Sequence, residues 1–69
     1  MNEQSITVNG REIAAELPSS IEQFVLSQKL PPRSVVVELN GEAVPPSQFA
    51  HRMLQPVDKL EIVKVVAGG

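Results

Sequence analysis

The residues of this chain best placed to do chemistry are its last ones. The sequence closes on Val65-Val66-Ala67-Gly68-Gly69, which puts a terminal carboxylate on a Gly-Gly arm. Glycine has no Cβ, so such an arm fits channels too narrow for other residues and adopts backbone angles they avoid. The carboxylate, with an ordinary pKa near 3.5, is ionised at neutral pH and is a poor electrophile. To accept a nucleophile it must first be given a leaving group. Chance or a cleaved tag leaves the same two glycines, so the arm is a candidate reactive group that the rest of the chain has to support.

No other residues compete with that reading. The chain has no cysteine, so it carries neither a disulfide, nor a thiolate zinc site, nor a nucleophilic sulfur of its own. His51 is the single histidine and has no Cys, Asp or Glu around it at ligand spacing, so no metal site is expected. Ser19, Ser20 and Ser47 lack a base partner and read as capping or turn residues. Without an acid–base pair, metal cluster or nucleophile elbow, the chain is not expected to be an enzyme. It is expected to bind no cofactor itself. Six basic and eight acidic residues are scattered along the chain, and Phe24 and Phe49 are the only aromatics. That excludes a basic groove or stacking platform for nucleic acid. The polar start Met1-Asn2-Glu3-Gln4 lacks the layout of a signal peptide, and no apolar run nears the ~20 residues of a membrane span. A cytoplasmic protein, monomeric alone, is expected.

The arm needs a body to present it. At 69 residues one domain is expected, over 1–65, with 66–69 as a flexible tail. Ser5 to Leu17 reads as a hairpin around Asn9-Gly10, a two-residue turn that needs positive φ at both positions. This register pairs Val8 with Arg11 and Ile6 with Ile13, and puts Ile6, Val8, Ile13, Ala15 and Leu17 on one core face. After Pro18, Ser19 with Glu22 forms a capping box, and Ser20 with Gln23 serves nearly as well. The helix that follows spans about ten residues. Ile21, Phe24, Val25 and Gln28 share one face, Leu26 and Leu30 flank it, and Pro31-Pro32 ends it.

Ser34 to Asn40 is a β-branched strand, and Asn40-Gly41 repeats the first turn, so Val37 pairs with Val44. Pro45-Pro46 stops that arm. Ser47 to Leu54 reads as a helical turn with Phe49, Met53 and Leu54 covering the end of the core. Lys59 to Val66 is the last strand, with Leu60, Ile62 and Lys64 on one side and Val63 and Val65 on the other. Apolar residues on both sides fit either a central strand or an exposed hydrophobic patch, and the strand is placed next to the first. The order yields an α+β fold: a mixed sheet of about four to five strands on one helix, the ubiquitin-like β-grasp, with a right-handed crossover. Val36, Val63 and Val65 then make an apolar docking patch on the sheet face opposite the helix.

With that order in place, the chain resembles the small sulfur carrier proteins of bacterial thiamin biosynthesis, the ThiS family. The likeness rests on Val8-Asn9-Gly10-Arg11-Glu12, Glu38-Leu39-Asn40-Gly41-Glu42-Ala43-Val44-Pro45, Ser47-Gln48-Phe49, Asp58-Lys59-Leu60-Glu61-Ile62-Val63 and Val66-Ala67-Gly68-Gly69. It covers essentially the whole length. Two positions depart from the family's habit: Pro46 stands where a basic residue often follows Val-Pro, and Val57 stands where Gly-Asp usually opens the last strand.

The resemblance implies a route for the terminus, in which Gly69 reacts and Ala67 and Gly68 thread the partner's active site. An E1-like adenylyltransferase of the ThiF type, using ATP and magnesium, adenylates the Gly69 carboxylate. A cysteine desulfurase relay supplies persulfide sulfur, which displaces AMP and leaves a thiocarboxylate. A thiazole synthase of the ThiG type consumes that sulfur. Related readings with the same activated carboxylate are the small subunit of molybdopterin synthase, other β-grasp sulfur carriers, and ubiquitin-like modifiers. The approach Ile62-Val63-Lys64-Val65-Val66-Ala67 lacks the Pro-rich character of the molybdopterin subunit and favours thiamin.

Overall fold

A computed structural model of the chain describes residues 4–65. Both Asn-Gly turns take the geometry their chemistry demands. Asn9 and Gly10 have φ of 52° and 83°, and Asn40 and Gly41 have 52° and 87°. Asparagine and glycine tolerate this left-handed region where other residues are strained. The first turn joins β1 (Gln4–Val8) to β2 (Arg11–Ala15), pairing Val8 with Arg11 and Ile6 with Ile13. The second joins β4 (Val35–Leu39) to β5 (Glu42–Val44), pairing Val37 with Val44.

The last strand, β7 (Lys59–Lys64), lies between these hairpins. It runs parallel to β1 and antiparallel to β4, giving the sheet order β2-β1-β7-β4-β5. One α-helix, α1 (Ile21–Ser27), packs on one face of this mixed sheet. That is the expected β-grasp. Among the described residues no helix is long and apolar enough to cross a membrane.

The core is the alternate residue set of the strands closed by the helix. Ile6, Val8, Val35, Val37, Leu39, Val44, Leu60 and Ile62 meet Ile21, Phe24 and Val25, with Phe49 and Leu54 sealing one end. Ile13, Ala15 and Leu17 share the expected face but are only half-buried, because β2 is the sheet's edge and has neighbours on one side only.

The helix differs from expectation at both ends. Its N-cap is Ser20, not Ser19: Ser20 Oγ accepts from the Gln23 N–H at 3.0 Å, and Gln23 Oε1 accepts from the Ser20 N–H at 3.3 Å. Ser19 and Ser20 form the two-residue strand β3, which pairs with β6 (Met53–Leu54). This ladder shifts the cap by one residue. The Ile21 and Glu22 N–H groups donate to the carbonyls of Arg52 and Phe49 at 2.9 and 3.1 Å, so the donors a helix start leaves orphaned are met.

At the other end the helix stops at Gln28, three residues before Pro31. Lys29 turns left-handed at φ 61°. The Lys29 N–H donates to Leu26 O at 2.9 Å and the Leu30 N–H to Val25 O at 3.2 Å. That is the Schellman arrangement, in which Leu30 folds back onto the core. The prolines instead shape a 3₁₀ turn, Pro32–Ser34. Gln28, expected on the core face, is exposed because the helix ends before it, and Leu26, expected on the flank, is exposed because it turns away from Ile21, Phe24 and Val25.

The segment after Pro45 is also shorter in helix than expected. A 3₁₀ turn covers Pro46–Gln48 and buries the Phe49 that follows it. Met53 and Leu54 then point to opposite sides of β6, so Leu54 is buried while Met53 is exposed, contrary to the expected cover.

Candidate docking face and carrier terminus

β7 leads toward the terminus, and both Asn-Gly turns grip it. β1 ends at Val8, so the Ile62 N–H and C=O on that side of β7 have no strand to pair with. The Asn9 side chain substitutes for one. Its Oδ1 accepts from the Ile62 N–H at 2.8 Å and its Nδ2 donates to the Ile62 carbonyl at 3.1 Å. Across the sheet, Asn40 Oδ1 accepts from the Lys59 N–H at 2.9 Å and its Nδ2 donates to Asp58 Oδ1 at 3.1 Å. Asp58 Oδ2 accepts from the Gln55 N–H at 2.8 Å, closing the turn before β7. In sequence both asparagines read as turn formers only, and this second role is not evident. The signal for it is two like turns, one on each side of the strand inserted between them.

Val57, in that turn, has φ 62°. The left-handed backbone a glycine would provide is therefore kept by a β-branched residue. Its N–H donates to Ser5 O at 3.0 Å, and the Asp58 N–H donates to Gln55 O at 3.2 Å, which hold the turn in place.

The face of the sheet away from α1 carries the expected patch residues. Val36 and Val63 are direct partners across β4 and β7. Val63 is 61% exposed, and Val36 and Val65 are each 50% exposed. Val65 continues beside β4, its N–H donating to Ser34 O at 2.7 Å. Leu60 and Ile62 point the other way into the core, so the two-sided apolar pattern of β7 is one core side and one exposed side. Lys64, aligned with the core side, is exposed and borders a groove with Gln28 and Leu30 at the end of the helix. Ala67, Gly68 and Gly69 lie outside the described residues, as does Val66, the expected end of the last strand.

Among the described residues no group of three His, Cys, Asp or Glu side chains could hold a metal ion. His51 is exposed. Ser19 Oγ donates to Ser20 O at 3.1 Å, and Ser20 is spent on the helix cap.

This architecture and these turns can be set beside known proteins. The family model described as "ThiS family" matches residues 1–69. The chain belongs to the ThiS family. A ThiS-family chain is a small sulfur carrier of β-grasp fold. The crystal structure of thiamine biosynthesis protein ThiS from Geobacter metallireducens is similar to it with a TM-score of 0.81 and 25% identity, over 94% of this chain and 99% of that one. The solution structure of a Geobacter metallireducens thiamine biosynthesis protein is similar with a TM-score of 0.78 and 25% identity, over 94% and 87%. In sequence, the uncharacterized protein ycf40 of Pyropia yezoensis is 36% identical over 66 residues, 94% of this chain and 92% of that protein.

Proposed function

We propose that this ThiS-family chain carries sulfur for thiazole formation in thiamin biosynthesis as a thiocarboxylate on Gly69, and is a protein co-substrate, not an enzyme. The observation that carries the reading is the family match over residues 1–69, joined to a last strand held in the middle of the sheet and leading to the Gly-Gly terminus.

The chemistry follows from the carboxylate's poor electrophilicity. A carboxylate oxygen of Gly69 attacks the α-phosphorus of ATP in a ThiF-type adenylyltransferase, and pyrophosphate leaves. The acyl-adenylate carbonyl is then attacked by the terminal sulfur of a cysteine persulfide, which expels AMP and gives an acyl disulfide. A second thiol cleaves its S–S bond, releasing the thiocarboxylate and leaving a disulfide on the donor side. A ThiG-type thiazole synthase takes the sulfur. ATP and magnesium belong to the activating enzyme.

The four residues after Val65 reach about 13 Å at ~3.3 Å each when extended. That length lets Gly69 enter a neighbouring active site while the folded body stays outside. Recognition then rests on the body, and the exposed Val36, Val63 and Val65 are its apolar docking surface. Val63→Asp should raise the KM for adenylation about tenfold or more with the fold unchanged, since it puts a charge in a desolvated contact. Unaltered adenylation kinetics would remove these valines from the interface.

The decisive test is mass spectrometry of the intact chain after incubation with its adenylyltransferase, ATP and a persulfide source. Replacement of one oxygen by sulfur, mapped to Gly69, is the expected result. An unmodified terminus in the presence of a competent enzyme overturns the proposal.

A further inference from the structure

The docking face has a second chemical feature beside its valines. Glu38 on β4 and Glu61 on β7 are direct cross-strand partners. They are two residues along from the pair Val36 and Val63 and on the same outer face. Directly opposed side chains on one sheet face have Cβ atoms about 5 Å apart, and like charges in that position destabilise the sheet. Glu61 is exposed and Glu38 half-buried.

Little nearby relieves the pair. Ala43, opposite Glu38 on β5, brings no charge. The Asn40 amide is committed to Asp58 and Lys59, and the Asn9 amide to Ile62. Lys59, two residues before Glu61 on the same face, is the neighbouring cation; its backbone N–H and C=O are bonded to Asn40, and its ammonium is hydrogen-bonded to neither carboxylate. Among the described residues no side-chain hydrogen bond reaches Glu38 or Glu61.

Two carboxylates at this spacing, bordered by exposed valines, match one kind of partner group. A guanidinium presents five donors in a rigid planar fork and is weakly hydrated, so it can donate to both carboxylates while its neighbours pack on apolar surface. We propose that the Glu38–Glu61 pair receives an arginine of the activating enzyme, with Val36, Val63 and Val65 seated against apolar residues beside it. This rests on the proposed carrier function and names the partner chemistry at its docking face. The repulsion within the free carrier becomes attraction in the complex, so the pair trades stability of the monomer for selectivity toward a cationic partner.

The test compares Glu38→Gln, Glu61→Gln and the double variant with Glu16→Gln, which removes one charge from a residue beside the helix (Glu16 borders the groove with Gln23 and Phe24). Pyrophosphate exchange with the adenylyltransferase gives KM and kcat for the full chain, and titration calorimetry of the two proteins gives Kd without chemistry. The double variant should raise KM and Kd about tenfold or more at low salt, with kcat within about twofold, and should flatten the salt dependence of both. Its melting temperature should equal or exceed that of the parent chain. Glu16→Gln should leave KM and Kd within about twofold.

A double variant whose Kd and salt dependence match the parent's overturns the inference, and so does a Glu16→Gln effect as large as the double's. If the parent chain itself forms no adenylate, the carrier function fails, and the calorimetric comparison still decides the acid pair.

Discussion

Val57 is the residue where local rules and observed backbone conflict most openly. A β-branched side chain at φ 62° is held in the left-handed region at a cost of roughly 1–2 kcal/mol. It is also 82% exposed, so its side chain recovers little by burial. Val57→Gly should therefore raise stability by about 1 kcal/mol in urea unfolding, with the Gln55–Asp58 turn retained. A loss of stability would mean that the valine makes a contact worth more than the strain. Ser20 shows the opposite case, a residue whose side chain fits its place. Ser20→Ala removes the cap to Gln23 and should lower stability by about 1 kcal/mol, whereas Ser19→Ala should change it far less. That difference separates the observed cap from the one expected on sequence.

At the scale of the element, β7 is the member on which the others converge. It is paired on both sides, and where β1 runs out the Asn9 amide takes over as a substitute peptide group. Asn9→Ala should destabilise the protein by about 1–3 kcal/mol, since it leaves the Ile62 N–H and C=O without partners and puts alanine at positive φ. Amide hydrogen exchange should report it as faster exchange at Ile62 than at Val37 on the neighbouring strand. Equal acceleration at both would place the effect in the turn, not in the clamp. Helix α1 carries the same lesson in reverse. Seven residues make a marginal helix alone, so its stability comes from Ile21, Phe24 and Val25 in the core and from caps at both ends.

Under the proposed function, the whole molecule divides into a folded body that is recognised and a terminus that reacts. Extending the chain beyond Gly69 should abolish sulfur loading, because the carboxylate becomes an amide, while the melting temperature stays within a few degrees of the parent's. Mass spectrometry and calorimetry read the two outcomes separately. A binding module with no use for a free terminus would show no loss with the same extension.

Much of this architecture was legible from local chemistry. The Asn-Gly turns set both hairpin registers, because backbone conformation there depends on two residues alone, and period-two alternation then assigned the core face of each strand. The two-sided apolar run from Leu60 to Val65 left a central strand and an exposed patch as alternatives, and β7 is both. What local sequence left undetermined depends on partners far along the chain. Ser20 rather than Ser19 caps the helix because Ser19–Ser20 pairs with Met53–Leu54. Lys29 ends the helix without a glycine because the Schellman turn lets Leu30 reach the core. Glu38 and Glu61 are unremarkable in sequence, and only the antiparallel register of β4 on β7 sets their charges side by side. The sequence by itself determined the five strands of the main sheet, the one α-helix and the two Asn-Gly turns, since each rests on short-range backbone and side-chain preferences. The tertiary structure decided the caps, the asparagine clamp and the acid pair, since each is a contact between segments whose alignment exists only once the sheet has formed.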